Sequence, residues 1–216
     1  MEIRGLYPIV DVETLRARGL PIVEFADAVL AARPRLLQLR AKASGARETL
    51  ELLRALKPRC AAAGALLFAN DRPDLAVLAG ADGVHVGQGD LSLSDVRAFA
   101  PQLAVGVSTH GVDELEAALA GRPAYVAFGP VFGTLSKRNP EPTVGSVGLA
   151  EAGARARRAG VPLVAIGGID LERAPSVAEH AAAAAVIGAL VPPAGAGMFE
   201  AARERALALQ AALGAG

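Results

Sequence analysis

Asp71 and Asp90 each follow a short apolar run, in Leu66-Leu67-Phe68-Ala69-Asn70-Asp71 and Val84-His85-Val86-Gly87-Gln88-Gly89-Asp90. Aspartate is depleted within strands, so the two carboxylates mark places where apolar strands end. If those strands are parallel neighbours, both acids emerge at one rim and can share a divalent cation. Magnesium takes oxygen ligands and is commonly held by one or two carboxylates together with substrate phosphates. The pair suggests a metal–diphosphate site. Helix capping is the competing reading, because Asp71 precedes Arg72-Pro73, Asp90 precedes Leu91-Ser92, and aspartate is a favoured N-cap.

A second group is basic. Gln38, Arg40 and Lys42 alternate with Leu39 and Ala41. Residues two apart on a strand share a face, so the spacing predicts that all three polar side chains point into one mouth. Cations on one face are costly to bury unpaired, and an anionic ligand is their natural partner. Further along, the loop 133–138 carries Thr134, Ser136 and Lys137, whose hydroxyls and point charge suit a phosphate. Gly167-Gly168 and Gly188 permit close approach of the main chain, next to helices that offer their positive N-termini. Of the histidines, His85 is read as reaching the site or packing inside, His110 as supporting it, and His180 as structural. No zinc spacing, no Ser–His–Asp arrangement and no nucleotide P-loop is visible.

The elements that must position these residues follow from the apolar pattern. Short apolar runs at 5–10, 36–40, 65–70, 83–87, 103–108, 125–130, 162–168 and 183–188 read as strands. Helical stretches at 24–32, 48–63, 94–100, 112–119, 149–159, 171–180 and 197–213 lie between them. Ser94 and Asp170 are expected to cap helix starts, and Gly64, Gly121 and Gly160 helix ends. Strands alternating with helices imply βαβ units and a parallel sheet. Eight such units close naturally as an α/β fold of the single (β/α)8 TIM-barrel type, whose chemistry sits at the C-terminal rim of the strands. A doubly wound open sheet is the alternative.

The bulk composition bounds the rest. A chain of 216 residues with 52% apolar content suits one domain, 1–216, with a full core. Twenty-two acidic residues balance 22 basic ones, whereas a nucleic-acid binder usually carries a basic excess. The lone Cys60 cannot form an internal disulfide, as expected in a reducing cytosol. Met1-Glu2-Ile3-Arg4-Gly5 is followed by no signal-peptide pattern. The most apolar stretch, 181–191, stops at Pro192-Pro193, short of the ~20 residues that span a bilayer. A soluble cytoplasmic protein without nucleic-acid or membrane partners is expected.

These residues resemble the thiamine-phosphate synthase family over nearly the whole chain. The resemblance is carried by Gln38-Leu39-Arg40-Ala41-Lys42, Asn70-Asp71, the run from Ala81-Asp82-Gly83 to Asp90, Gly106-Val107-Ser108-Thr109-His110, Gly129-Pro130-Val131-Phe132 through Lys137, and Ala165-Ile166-Gly167-Gly168-Ile169. It implies a transferase that joins 4-amino-2-methyl-5-hydroxymethylpyrimidine diphosphate to thiazole phosphate, forming thiamine phosphate and diphosphate through a carbocation-like step. It also implies small-molecule substrates and Mg2+ held by Asp71 and Asp90. By position, Gln38, Arg40, Lys42, Asn70, Ser108 and Lys137 would hold the pyrimidine diphosphate, with Leu39 and Ala41 in the same run. Thr134, Leu135, Ser136, Gly168, Ile187 and Gly188 would line the thiazole phosphate. Arg40, Ser108 and Lys137 would take the catalytic roles. The chain departs from the family pattern at Ala41 (usually acidic), Gly133 (often Pro), Ser136 (often Thr) and Gly188 (typically Ser). The alternatives are a thiazole tautomerase-like paralogue, lacking the magnesium–diphosphate machinery, and a non-catalytic ligand-binding regulator.

Overall fold

Alternation along each strand sorts its side chains into two cores. The computed structural model describes residues 2–133 and 142–214. Its strands are β1 (Gly5–Asp11), β2 (Leu36–Arg40), β3 (Leu66–Asn70), β4 (Gly83–Val86), β5 (Ala104–Thr109), β6 (Tyr125–Phe128), β7 (Leu163–Ile166) and β8 (Ala183–Val186). They pair in parallel, in sequence order, and β8 returns to β1 to close the barrel. The helices are α1 (Val12–Ala17), α2 (Ile22–Leu30), α3 (Ala46–Ala63), α4 (Pro73–Ala79), α5 (Leu93–Phe99), α6 (Val112–Ala120), α7 (Gly145–Ala159), α8 (Ala174–Ala178) and α9 (Met198–Leu213). This is the closed (β/α)8 barrel expected from the strand–helix alternation. Among the described residues no helix is long and apolar enough to cross a membrane.

Residues such as Leu37, Leu39, Leu67, Ala69, Val84 and Val86 point outward and bury against the helices. Their neighbours one position away fill the lumen, where Tyr7, Ile9, Leu36, Phe68, Tyr125, Val164, Ala183 and Ala185 form a separate apolar cluster. Tyr7, Phe68 and Tyr125 meet there edge to face or tilted, at centroid distances of 6.4, 5.8 and 5.7 Å. Such geometries suit the quadrupoles of aromatic rings. Three rings fit because small residues face them. A Cβ on Gly106 would lie 2.1 Å from the Tyr125 ring, and one on Gly83 2.4 Å from Phe68.

Local signals account for some of the helix ends. Gly64 and Gly160 close α3 and α7 in the left-handed conformation, which costs glycine little. Gly121 ends α6 with an ordinary right-handed φ of −75°. Ser92, not Ser94, caps α5 by accepting from the Asp95 amide. Asp170 accepts from the Arg173 amide at 3.0 Å, but it caps the turn before α8. That helix covers five residues rather than the expected ten, because Pro175 lies at its start and no long apolar face follows. The helices α1 and α4 are not among the predicted stretches. Cys60 is buried in α3, and burial together with the nearby Asp82 carboxylate pushes its thiol up to about 12.

Gly106→Ala is expected to destabilise the protein by about 1–3 kcal/mol, the usual cost of overpacking a filled core. Urea denaturation checks this, and an unchanged midpoint would mean the lumen can yield around Tyr125.

Candidate active site

Every strand delivers its last inward residues to the same end of the barrel, where the polar side chains gather. On β2, Gln38 is inward and buried, donating from Nε2 to the Tyr7 hydroxyl at 3.0 Å. Arg40 is also inward, and its Nη1 pairs closely with Asp11 Oδ2 at the end of β1. Glu13 Oε2 lies 3.8 Å from the same nitrogen. A guanidinium has further N–H donors, so Arg40 is held in place with bonding capacity left for an anion. Leu39 and Ala41 pack outward into the layer beneath the helices, so their side chains do not join this group.

Lys42 departs from the alternation. The strand ends at Arg40, and Lys42 lies in the following bend. The bend is pinned where the Ala43 amide donates to Glu13 Oε1 at 2.8 Å. From there Lys42 Nζ reaches Asp71 Oδ2 at 3.0 Å. The expected mouth is thus reached by a loop rather than by strand periodicity.

The two acids come together. Asp71 follows β3 with a left-handed φ of 63°, and its amide donates to the His85 carbonyl on β4 at 2.8 Å. It does not cap α4, whose N-cap position is Arg72 and has no side-chain cap bond. Asp90 accepts from the Gly87 amide at 2.8 Å, while Ser92 does the capping of α5. Burial pushes the Asp90 carboxyl above the usual aspartate range, and the Asp71 carboxylate beside it pushes the same way. An open cleft of about 610 Å3 borders both acids, with Arg72, Asp74, Leu91 and Phe99 also on its walls. Among the described residues no group of three or more His, Cys, Asp or Glu is arranged around a metal. Two neighbouring carboxylates, one of them paired with a lysine, nevertheless suit a cation that completes its shell with phosphate oxygens.

Asn70 ends β3 beside His85. His85 faces inward, with Nδ1 2.9 Å from the Tyr125 hydroxyl and Nε2 2.7 Å from Ser108 Oγ. Of the two readings open for this histidine, it reaches the site. His110 Nδ1 lies 2.5 Å from the Gly129 carbonyl and supports the β5 and β6 ends. His180 stands away from the mouth, 4.0 Å from Glu179.

Across the mouth, Gly168 has a left-handed φ of 62°. A Cβ there would lie 2.4 Å from the Gly133 carbonyl oxygen, so only glycine lets the loop after β6 lie against the end of β7. Ile187 and Gly188 follow β8, and Gly188 opens a single 3-10 turn. Thr134, Leu135, Ser136 and Lys137 lie outside the described residues.

Sequence reasoning missed several residues of this end. Asp11 could have been found by applying the strand-end rule to β1 as well. Arg173, which bonds the Gly168 carbonyl at 2.7 Å and stacks on Phe132 at 4.9 Å, had no local signal. Neither had Tyr7 and Tyr125, which read simply as core.

The sequence profile of the thiamine monophosphate synthase family matches residues 6–190. A thiamine-phosphate synthase of Anaeromyxobacter dehalogenans is 40% identical, covering 96% of this chain and 91% of its own. One of Koribacter versatilis is 41% identical, over 84% of this chain and 86% of its own. A solved thiamine phosphate pyrophosphorylase from Pyrococcus furiosus superposes with a TM-score of 0.81 at 28% identity, covering 97% of this chain and 96% of that one. The chain belongs to the thiamine monophosphate synthase family.

Proposed function

We propose that this chain, acting as one barrel domain in the cytoplasm, is a thiamine-phosphate synthase. It joins 4-amino-2-methyl-5-hydroxymethylpyrimidine diphosphate to thiazole phosphate, and releases thiamine phosphate and diphosphate. The observation that carries the reading is the placement of Asp71 and Asp90 together, beside Lys42, with Arg40 at the end of the neighbouring strand β2. A thiazole tautomerase has no use for that group, since no diphosphate leaves in its reaction.

Asp71 and Asp90 are assigned as the protein ligands of Mg2+. Their chemistry fits the ion: two adjacent carboxylates, one of them held above its ordinary titration range by the other and by burial. When bound, magnesium neutralises charge on the diphosphate oxygens. Arg40 and Lys42 are assigned to the same leaving group from the β2 side, and Asn70 from the end of the neighbouring β3. Ser108 faces it from β5, and Lys137 is assigned to it from the loop after β6. Thr134, Ser136, Gly168, Ile187 and Gly188, with Leu135 in the same loop, are assigned to the thiazole phosphate. At Gly188 that contact is made by the main chain.

In the reaction the bond from the pyrimidine methylene to the diphosphate oxygen breaks, and its electron pair leaves with diphosphate. The thiazole nitrogen then supplies the pair for the new carbon–nitrogen bond. The protein provides no nucleophile. Its side chains hold both substrates in line, which lowers the entropic part of the barrier, and stabilise charge as it gathers on the leaving group.

Purified protein given both substrates and Mg2+ is expected to form thiamine phosphate with one equivalent of diphosphate; no product would overturn the assignment. Chelation should abolish turnover and added Mg2+ restore it. Asp71→Ala should lower turnover on the order of a hundredfold or more with an unchanged circular dichroism spectrum, and retained turnover would remove the metal assignment. Asp90→Asn should also lose turnover, yet stabilise the metal-free protein by about 0.5 kcal/mol, typical of one exposed charge pair. The sign follows from the raised Asp90 value. The folded protein binds that proton more tightly than the unfolded chain, so stability falls as pH rises from the ordinary aspartate value through the raised one. The gain on substitution should therefore be absent in acid and complete at pH 7, as read from urea midpoints.

A further inference from the structure

The lumen beneath the mouth contains a continuous polar chain. Gln38 Nε2 donates to the Tyr7 hydroxyl at 3.0 Å. The Tyr7 and Tyr125 hydroxyls are 2.9 Å apart, the Tyr125 hydroxyl is 2.9 Å from His85 Nδ1, and His85 Nε2 is 2.7 Å from Ser108 Oγ. Tyr7, Gln38 and Tyr125 are at most 2% exposed, and His85 is 8% exposed. The chain therefore links two residues assigned to the diphosphate substrate through three that are not.

Hydrogen-bond chemistry gives the chain a direction. An amide N–H only donates, so the Tyr7 oxygen accepts from Gln38. The proton of Tyr7 is itself buried and needs an acceptor, and the Tyr125 oxygen is the one beside it. The Tyr125 proton is then directed to His85 Nδ1. A neutral imidazole that accepts at Nδ1 carries its proton at Nε2, which donates to Ser108 Oγ. The Ser108 proton is left pointing to an acceptor in the mouth. Both tyrosines keep their protons, because burial pushes their hydroxyls well above the usual range. The His85 ring lies flat on Tyr125, at 5.6 Å and 12°, and Gln88 Nε2 holds the Ser108 carbonyl at 2.6 Å.

We propose that His85 is a positioning residue, set by Tyr125 and Tyr7 so that the Ser108 hydroxyl is presented to the diphosphate substrate as a donor. The proposal rests on the assignment of Ser108 to that substrate. A donor already aimed at the leaving oxygens needs no reorganisation as their charge grows. A serine free to rotate would lose that advantage.

The first test is independent of substrate. Nitrogen-15 NMR of the histidine rings in the ligand-free protein should show His85 with a protonated Nε2 and an unprotonated Nδ1. The opposite tautomer would overturn the proposal. The second is kinetic. Tyr125→Phe keeps the ring and the stack but removes the donor, and should lower kcat about ten- to a hundredfold, the range typical when a supporting hydrogen-bond partner of a site residue is lost, with KM little changed. His85→Gln, which retains an N–H donor, should keep more activity than His85→Phe. In a Ser108→Ala background, Tyr125→Phe should have no further effect. An equal loss in both backgrounds would show that Tyr125 does not act through Ser108 and overturn the proposal. Absence of any product from the wild-type protein would instead overturn the proposed function, leaving the tautomer measurement to decide this one.

Discussion

Tyr7 and Tyr125 meet hydroxyl to hydroxyl inside the lumen of the barrel, 2.9 Å apart, and much of the molecule is arranged around that contact. Two phenols inside a narrow lumen need space and partners at once. The space comes from Gly106 and Gly83, where any Cβ would strike a ring, and from Ala183 and Ala185 on β8. The partners come from Gln38 and His85. A buried hydroxyl without a partner is costly, so the register of β1, β2, β4 and β6 is specified by polar contacts as well as by apolar area. Below the pair the lumen is apolar, and above it charged groups begin.

Those charged groups are graded by how firmly they are held. Asp11 is buried, caps α1 through the Thr14 amide, and binds Arg40. Arg40 is therefore already oriented before any ligand arrives, and little side-chain entropy remains to be lost on binding. Lys42 is more exposed and pairs with Asp71 from a bend, a looser arrangement suited to exchanging one anionic partner for another. Asp90 is the outlier, an acid beside an acid on an exposed turn, its carboxyl raised by partial desolvation and by Asp71. Folded proteins accept local conflicts of this kind chiefly at functional sites. Here a divalent cation would resolve it.

Much of this was legible in the sequence. The eight apolar runs match the eight strands within a few residues at either end, because a strand buried on both faces must be nearly continuously apolar. The strand-end rule then located Asn70, Asp71 and Ser108. It misplaced the route of Lys42, since a bend after Arg40 replaces the strand periodicity that the alternation implied. It also took Ser94 for the cap that Ser92 supplies, two residues away in a serine-containing turn where both look suitable.

The sequence by itself determined the strand–helix alternation, the inward or outward face of each strand residue, and the chemical types available at each strand end. Those depend on periodicity and composition, which are local. Only the tertiary structure decided that Asp71 and Asp90 share a cleft rather than cap separate helices, that Asp11 holds Arg40, and that Gln38, Tyr7, Tyr125, His85 and Ser108 touch in series. Each of those contacts joins residues brought side by side by barrel closure and register. No spacing along the chain encodes a distance across the lumen, and so the two acids that first suggested a metal acquired their neighbours only in the folded barrel.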